Sequence, residues 1–244
     1  MDIDSLKGIV ARLDPSGVPS IEIVKHAETT GPRLGVFASS FNPPTIAHVQ
    51  LIRRAAEAFS LDQVLALVGK TNADKLDYEC SLEDRLAMLM LAFDDEGRVS
   101  IGLSSHAFYV DMIDALGLVY EPQTHIHFIV GFDTFERVLD FEDRYTERYY
   151  RNFADRREAL DYLLSKSSFI VAGRAGAGLH SVRSLLEREP AVPSEKVLYL
   201  DFPSDLGDLS ATEVRKLRRR GLSIKELVPA AVERYVQGHE LYLT

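Results

Sequence analysis

The chain has 244 residues, of which 46% are hydrophobic and 27% charged, and its formal net charge is −9. These values are ordinary for a soluble globular protein, so they exclude a disordered or fibrous chain, and the negative charge disfavours a dedicated binder of long nucleic acids. Cys80 is the single cysteine, which excludes an intramolecular disulfide and a cysteine-based zinc cluster. We therefore expect a folded protein of a reducing compartment.

The first residues carry acidic side chains where a secretory signal would carry basic ones. No apolar run approaches the roughly 18–20 residues that a membrane span needs. We therefore expect a cytoplasmic protein without a membrane partner. The sequence leaves open whether it forms a homo-oligomer.

The first 33 residues precede the regular part of the pattern. An amphipathic helix is predicted over Ile3–Leu13, and the apolar stretch Ile21–Val24 lies between turn residues as a candidate edge strand. We divide the chain into this N-terminal extension, residues 1–33, to which we assign no function, and a main domain, residues 34–244.

From Leu34 onwards, short β-rich apolar runs alternate with helical segments. Strands buried on both faces give such continuous runs, and their alternation with helices predicts a parallel sheet. The fold class is therefore α/β, a Rossmann-like sheet with helices on both faces. The predicted strands are Leu34–Phe37, Val64–Val68, Val99–Leu103, Ile126–Val130, Phe169–Ala172 and Val197–Leu200. The stretch Asp133–Lys166 is predicted to form two or three helices.

The first candidate site is Ala38–His48, which lies between the first of these strands and a predicted helix over Val49–Ala58. Ligands bind at this position in open parallel sheets, at the carboxyl end of a strand and facing a helix N-terminus. With Thr45 as the N-cap, His48 is the third helical residue, where the helix dipole favours a neutral ring that donates one N–H to a phosphate oxygen. The alternative is an ordinary Asn-Pro-Pro turn with a Thr cap.

The second candidate site is Leu209–Arg215. Ser210 and Thr212 place hydroxyls at a predicted helix N-terminus, and Arg215 adds a positive charge one turn further on, which suits an anionic ligand such as a phosphate group. Two alternatives stay open. Ser210 and Glu213 also fit a capping box without a ligand. The basic run to residue 220 also fits a solvated helix face, and only Arg215 and Arg219, one turn apart, could share a side that faces a ligand.

Both segments resemble signatures of the nicotinate/nicotinamide mononucleotide adenylyltransferase family. The residues Phe41-Asn42-Pro43, with Thr45 and His48, resemble G-x-F-[DN]-P-x-[HT]-x-x-H, and residues 209–215 resemble I-S-x-T-x-x-R. The two occur in the family's order, which is far less expected by chance than either motif alone. One departure is that residues 38–40, Ala-Ser-Ser, stand where the family has loop glycines, so a Cβ lies where the backbone would approach the nucleotide.

The resemblance implies an enzyme that joins AMP from ATP to a pyridine mononucleotide, nicotinamide or nicotinic acid, with Mg²⁺ bound to ATP and with release of pyrophosphate. Its implied catalytic residues are Thr45, His48 and Arg215, and it implies no protein metal ligand. The implied nucleotide-binding residues are Ser39, Ser40, Phe41, Asn42, Lys75, Gly131, Asp133, Phe141, Ser210 and Thr212. Another phosphorylated acceptor, CTP as donor, or a non-catalytic nucleotide-binding regulator remain alternatives.

Several residues between the two signatures have competing interpretations. Asp133 of Gly131-x-Asp133 resembles the acid that contacts a ribose hydroxyl, but it also fits a helix N-cap. Lys75 resembles a phosphate-site lysine but also fits a solvated loop, and Phe141 falls where the family has a Trp that stacks on the pyridine ring. His125 and His127 share one face of a predicted strand without an acidic third ligand, so we expect core histidines.

Overall fold

The computed structural model describes residues 3–71, 79–140, 153–173, 177–207 and 209–243. Seven strands form one sheet in the order β1-β4-β3-β2-β5-β6-β7. The strands are β1 (Ile21–Lys25), β2 (Arg33–Ser39), β3 (Gln63–Gly69), β4 (Val99–Ser104), β5 (His125–Gly131), β6 (Ser167–Ala172) and β7 (Val197–Leu200). Six of them, β2 to β7, are mutually parallel, and β1 pairs antiparallel with β4 at one edge.

The predicted α/β class and all six predicted strands are confirmed, and each observed strand contains the apolar run that predicted it. The runs are continuous because the central strands are buried on both faces: Val36 packs in the core on one side of the sheet and Phe37 in the core on the other.

Helices cover both faces of the sheet. One core contains apolar side chains of α1, α2 and α3, and the other contains those of α4, α5, α6 and α7. The described helices are α1 (Ile3–Arg12), α2 (Ile46–Ala58), α3 (Leu82–Ala92), α4 (Tyr109–Val119), α5 (Phe132–Leu139), α6 (Arg156–Lys166), α7 (Leu179–Arg188), α8 (Ser204–Gly207), α9 (Ala211–Arg219) and α10 (Ala230–Gly238). Two of them, α5 and α6, occupy the described part of the stretch that we predicted as two or three helices.

The helix and the edge strand predicted within residues 1–33 are both present, with the helix ending at Arg12. Leu6 and Ile9 of α1 are buried in the same core as α2 and α3. The ammonium group of Lys70, just after β3, donates to the carbonyl oxygen of Val10 at 2.8 Å and so satisfies a group at the C-terminal end of α1. The N-terminal segment therefore packs as part of the same α/β core.

The sheet reverses its strand order next to β2. From β2 the chain proceeds through β3 to β4 on one side, and then crosses to β5, β6 and β7 on the other. At such a switch point, the loops after the two central strands leave in opposite directions and open a crevice at the carboxyl ends of the strands. In this protein the crevice lies between the loop after β2 and the start of α5, which follows β5 directly.

Candidate active site

A cavity of about 140 Å³ occupies this crevice. Its walls include Ala38 and Ser39 at the end of β2, His48 on α2, Gly131 at the end of β5 and Asp133 on α5. Leu209, just before α9, also lines it. The cavity thus contacts residues of the first candidate site, the Gly131-x-Asp133 segment and the start of the second candidate site.

The loop from Ser40 to Thr45 is held by the buried ring of Phe41. Phe41 has φ +43°, a left-handed conformation that an L side chain rarely adopts, and its side chain is fully buried. The ring packs edge-on against Phe37, with centroids 5.5 Å apart, and against His48, at 5.1 Å. Packing of this ring therefore maintains a strained turn, here without the glycine that such a turn favours.

The orientation of His48 is fixed by the helix cap. Thr45 is the N-cap of α2 and His48 is its third residue, as predicted. The backbone N–H of Thr45 donates to Nδ1 of His48 at 2.9 Å, and the backbone N–H of His48 donates to the Thr45 hydroxyl at 3.4 Å. Because Nδ1 accepts a hydrogen bond, the neutral ring carries its proton on Nε2. The cap thus selects the tautomer in which Nε2 is the ring donor.

The second candidate site begins α9 and contacts the first. Ser210 is the N-cap, with its hydroxyl accepting from the backbone N–H of Glu213 at 3.2 Å. Arg215, which is 9% exposed, donates from Nη1 to the carbonyl oxygen of Asn42 at 2.7 Å and from Nη2 to the Thr212 hydroxyl at 3.4 Å. Two segments that are far apart in the chain are therefore joined by a buried hydrogen bond.

Glu79 pairs with two arginines of α9. Its carboxylate accepts from Nε of Arg215 at 3.0 Å and from Nη1 of Arg219 at 2.6 Å. Burial raises the pKa of Glu79, but the hydrogen bonds from the two arginines outweigh burial, so the pKa lies below its ordinary value. Arg215 and Arg219 do share one side of the helix, as predicted, and that side faces a carboxylate of the protein.

Two further side chains hold the loop, and the sequence did not reveal their role. Tyr242 is buried and donates from its hydroxyl to Oδ1 of Asn42 at 2.6 Å. Arg85, only 2% exposed, donates from Nη1 to the carbonyl oxygen of Ser40 at 3.1 Å. A signal for Arg85 existed, because it lies one turn before Met88 and Leu89 on the apolar face of α3, where a charged residue is unexpected.

The interpretation of Asp133 as a helix N-cap is wrong. Gly131 is the N-cap of α5, and Asp133 is the second helical residue, with an exposed side chain that borders the cavity. The helix begins at Phe132, two residues earlier than it would with a cap at Asp133. Lys75 and Phe141 lie outside the described residues.

The interpretation of His125 and His127 as core residues is also wrong. His125 is exposed and His127 is half-buried, and both lie at the amino end of β5, the opposite edge of the sheet from the crevice. The reason is their position: strand ends at the edge of a parallel sheet extend beyond the covering helices. Together with Arg33 and Lys196 they line a second cavity.

Within the described ranges, no group of three or more His, Cys, Asp and Glu side chains is arranged to hold a metal ion. Over the same ranges, no helix combines the length and apolar character that crossing a membrane requires.

Comparison with known proteins places the chain in a class. It belongs to the cytidylyltransferase-like family, whose model matches residues 36–217. Its relatives include probable nicotinate-nucleotide adenylyltransferases of Desulfatibacillum aliphaticivorans, 30% identical over 86% of this chain and 100% of the relative, and of Gemmatimonas aurantiaca, 29% identical over 86% and 92%. The resemblance inferred from the two signatures is thereby confirmed.

A solved structure has the same fold. The nicotinic acid mononucleotide adenylyltransferase of Plasmodium falciparum, complexed with NaAD, superposes with a TM-score of 0.65 over 87% of this chain and 98% of its own. The two sequences are 16% identical, so the likeness concerns the arrangement of the sheet and helices.

Proposed function

We propose that the protein transfers AMP from ATP to nicotinic acid mononucleotide and releases pyrophosphate, a step of NAD biosynthesis. The observation that carries this proposal is the hydrogen bond between Arg215 and the Asn42 carbonyl, which joins the two nucleotidyltransferase signatures. The first signature reaches the crevice through His48 and the second through Leu209. The choice of acceptor follows the relatives, which are named for nicotinate nucleotide. Nicotinamide mononucleotide is the alternative acceptor within the same chemistry.

In this proposal, the phosphate of the acceptor attacks the α-phosphorus of ATP, and the bond from that phosphorus to the oxygen bridging it to the β-phosphate breaks. The attacking phosphate is already anionic near neutral pH, so no side-chain base is required. Acceleration then comes from alignment and from donors that neutralise charge on the transferring group. The crevice supplies such donors from two helix N-termini, those of α2 and α9.

We assign His48 to the α-phosphate because its tautomer is set by the Thr45 backbone, which leaves the ring proton on Nε2. Thr45 is the residue that holds the ring in this state. Ser39 ends β2, and Ser40, Phe41 and Asn42 begin the loop that precedes the capped helix. Asp133 borders the same cavity and is assigned to a ribose hydroxyl.

The leaving pyrophosphate is assigned to the N-terminus of α9, with Ser210 and Thr212. Arg215 has a double role in this scheme, because its guanidinium already contacts the loop and Glu79. It holds the two segments together and supplies positive charge beside the phosphates. Mg²⁺ is expected to enter with the substrate, as MgATP, where it screens the charge on the leaving group.

The test is pyrophosphate release by the purified protein with MgATP and, separately, nicotinic acid mononucleotide, nicotinamide mononucleotide and phosphopantetheine. Nicotinic acid mononucleotide is expected to give the highest kcat/KM, and CTP is expected to be a poor substitute for ATP. Preference for phosphopantetheine would overturn the pyridine assignment while keeping nucleotidyl transfer. ATP binding without turnover on any acceptor would favour the regulator, for which the Cβ atoms of Ala38 and Ser39 at the cavity wall are the motivating feature.

The roles of Phe141 and Lys75 and a cytoplasmic location stay predictions, and the oligomeric state stays open. Phe141 has a direct test in the same assay. Substitution by Ala should raise the acceptor KM because an aromatic contact contributes about 0.5–1.5 kcal/mol beyond area burial, while the KM for ATP should hardly change.

A further inference from the structure

A second cavity, of about 450 Å³, lies at the amino ends of the strands. We call it the basic cleft and define it by Arg33, His125, His127, Lys166 and Lys196, all of which line it. Arg33 begins β2, and β2 runs seven residues to Ser39 at the catalytic crevice. At about 3.3 Å per residue, the two cavities are roughly 20 Å apart, so the basic cleft is separate from the proposed active site.

Positive charge in the basic cleft is only partly neutralised by the protein. Lys166 pairs with Asp114 at 3.3 Å. In the part of the chain that the structure describes, Arg33 and Lys196 form no salt bridge. Burial first, and then the positive charges of neighbouring groups with Arg33 foremost, lower the pKa of His127. In a molecule with net charge −9, such a concentration of cations is a local exception.

The lining chemistry indicates a particular kind of ligand. Nδ1 of His127 is buried and has no hydrogen-bond partner among the described residues. Thr124 and Ser168, which carry hydroxyl groups, also line the cavity, and Ile126 is the apolar member of the described lining. That lining contains no Phe, Tyr or Trp on which a nucleobase could stack. The cleft therefore offers cations and hydroxyl donors to a compact anion.

We propose that the basic cleft is a binding site for a compact phosphate-bearing anion, either inorganic phosphate or pyrophosphate, or the phosphate group of a small ester. The side chains that line this one cavity carry guanidinium, ammonium and hydroxyl groups, which match the several acceptor oxygens of a phosphoryl group. The volume lies within the roughly 300–1,000 Å³ typical of small-molecule sites. This proposal does not depend on the adenylyl transfer proposed above.

The histidines provide a test that separates the two cavities. Inorganic phosphate is titrated at constant ionic strength while the imidazole signals of the full-length protein are followed by NMR, with assignments from His125→Gln and His127→Gln. Saturable shifts of His125 and His127 are expected. A response confined to His48 would place the phosphate in the catalytic crevice and overturn the proposal, as would shifts that do not saturate.

Charge removal supplies the second measurement. The double variant Arg33→Gln/Lys196→Gln is expected to bind phosphate at least about tenfold more weakly, since a hydrogen bond between charged groups contributes more than a tenfold factor in affinity. The matched control Lys7→Gln/Arg12→Gln removes two charges from α1, which lines neither cavity, and should bind as the wild type does. Both variants alter partly exposed side chains, and an unchanged Tm verifies their folding. An equal loss of phosphate affinity in both variants would show that net charge alone causes the effect, and would overturn the proposal.

Repeating the titration with pyrophosphate and with glycerol phosphate distinguishes the sources of the anion. Tighter binding of pyrophosphate supports an inorganic ligand, and tighter binding of glycerol phosphate supports a small ester. Absence of saturable shifts at His125 and His127 with all three probes would overturn the proposal.

Discussion

His48 has two chemically different ring nitrogens: the structure shows Nδ1 in the helix cap, and we propose a catalytic role for Nε2. Nδ1 accepts from the Thr45 backbone and completes the cap of α2, whereas Nε2 carries the proton that we assign to the α-phosphate. Asn places an amide oxygen near the position of Nδ1, and Gln reaches towards the position of Nε2. The two substitutions therefore separate capping from catalysis.

His48→Asn is expected to lower kcat by about 10²–10³-fold, the usual effect of removing one transition-state donor, and to leave Tm nearly unchanged because the cap acceptor is retained. His48→Gln should lose less activity because its amide N–H reaches the phosphate side. Pyrophosphate release and thermal unfolding measure the two effects. Wild-type turnover by the folded Asn variant would remove His48 from the mechanism.

Tyr242 contacts the loop from Ser40 to Thr45, although it lies 200 residues beyond Asn42 in the chain. Its hydroxyl donates to Asn42 at 2.6 Å, and both residues are buried. Tyr242→Phe leaves the Asn42 side chain without this donor, at a cost of about 1–3 kcal/mol, and should loosen the turn before Thr45. We expect a lower Tm and a lower kcat, with a smaller change in the KM for either substrate.

Tyr235→Phe is the matched control for this effect. Its hydroxyl also bonds an acceptor, Oδ1 of Asp84 at 2.8 Å, but this acceptor is on α3 and outside the loop. The control should lower Tm without the loss of kcat. A similar loss of kcat in both variants would show that Tyr242 acts through general stability alone.

At the scale of elements, α9 contributes two arginines with different surroundings. Arg215 is buried between Asn42, Thr212 and Glu79, whereas Arg220 is exposed at the helix end. Arg215→Ala should weaken ATP binding by roughly 1.5–3 kcal/mol and lower Tm, because it removes a charge-assisted donor and leaves its buried partners without their hydrogen bonds. Arg220→Ala should do neither. Equal effects would support a solvated basic face instead.

Glu79→Gln separates the two roles of Arg215. The variant keeps the bond from Arg215 to the Asn42 carbonyl but removes a carboxylate that repels phosphate, so ATP should bind as tightly as in the wild type or more tightly. Isothermal titration with ATP measures this. Weaker binding in Glu79→Gln would mean that the ion pair, and not the positive charge of Arg215, is what ATP binding requires.

The sequence predicted the elements well because their signals are local. Apolar runs marked the six parallel strands, and Thr45 and Ser210 were recognised as caps from a few neighbouring residues. The contacts that organise the site are long-range: Tyr242 and Asn42 are 200 residues apart in the chain. No periodicity encodes such a pair, and nothing in the local sequence indicated the left-handed conformation of Phe41.

Two predictions failed for a related physical reason. Asp is a residue type that is favoured at the N-cap position. However, β5 continues to Gly131 and α5 begins at the next residue, so Gly131 is the N-cap. His125 has the alternation of a strand core, but it lies at the very start of β5, where the covering layer has ended. The sequence pattern shows on which face of a strand a side chain lies, but only the assembled sheet shows how deeply that side chain is buried.

At the scale of the whole molecule, the charge distribution means that the binding of an anionic nucleotide depends on hydrogen-bond donors close to the site. A net charge of −9 does not attract an anionic nucleotide, and the field of distant charges is screened beyond about 8 Å at physiological salt. Binding of phosphates then depends on helix N-termini and nearby cations. The helix N-termini of α2 and α9 lie at the carboxyl ends of the strands, and the cations of the basic cleft lie at the amino ends.

The N-terminal segment and the remainder share one core, which bears on how the chain unfolds. Leu6 of α1 is 1% exposed and belongs to the same cluster as Ile52 of α2 and Phe93 after α3. The strand β1 also pairs with β4, so both elements of residues 1–33 contact the main sheet layers. We therefore expect one cooperative unfolding transition, with no separate unfolding of the extension.

Leu6→Ala tests this expectation far from the crevice. The cavity that this substitution leaves should lower the free energy of unfolding by about 2–5 kcal/mol. The midpoint of the single thermal transition should fall by roughly 5–15 °C, and kcat should stay unchanged at a temperature where the variant is folded. Calorimetry and tyrosine fluorescence should give the same midpoint. The control Leu118→Ala changes a side chain that is 76% exposed and should leave the midpoint within about 2 °C of the wild type. An early transition confined to α1, with the main transition unmoved, would show instead that residues 1–33 form an independently unfolding extension.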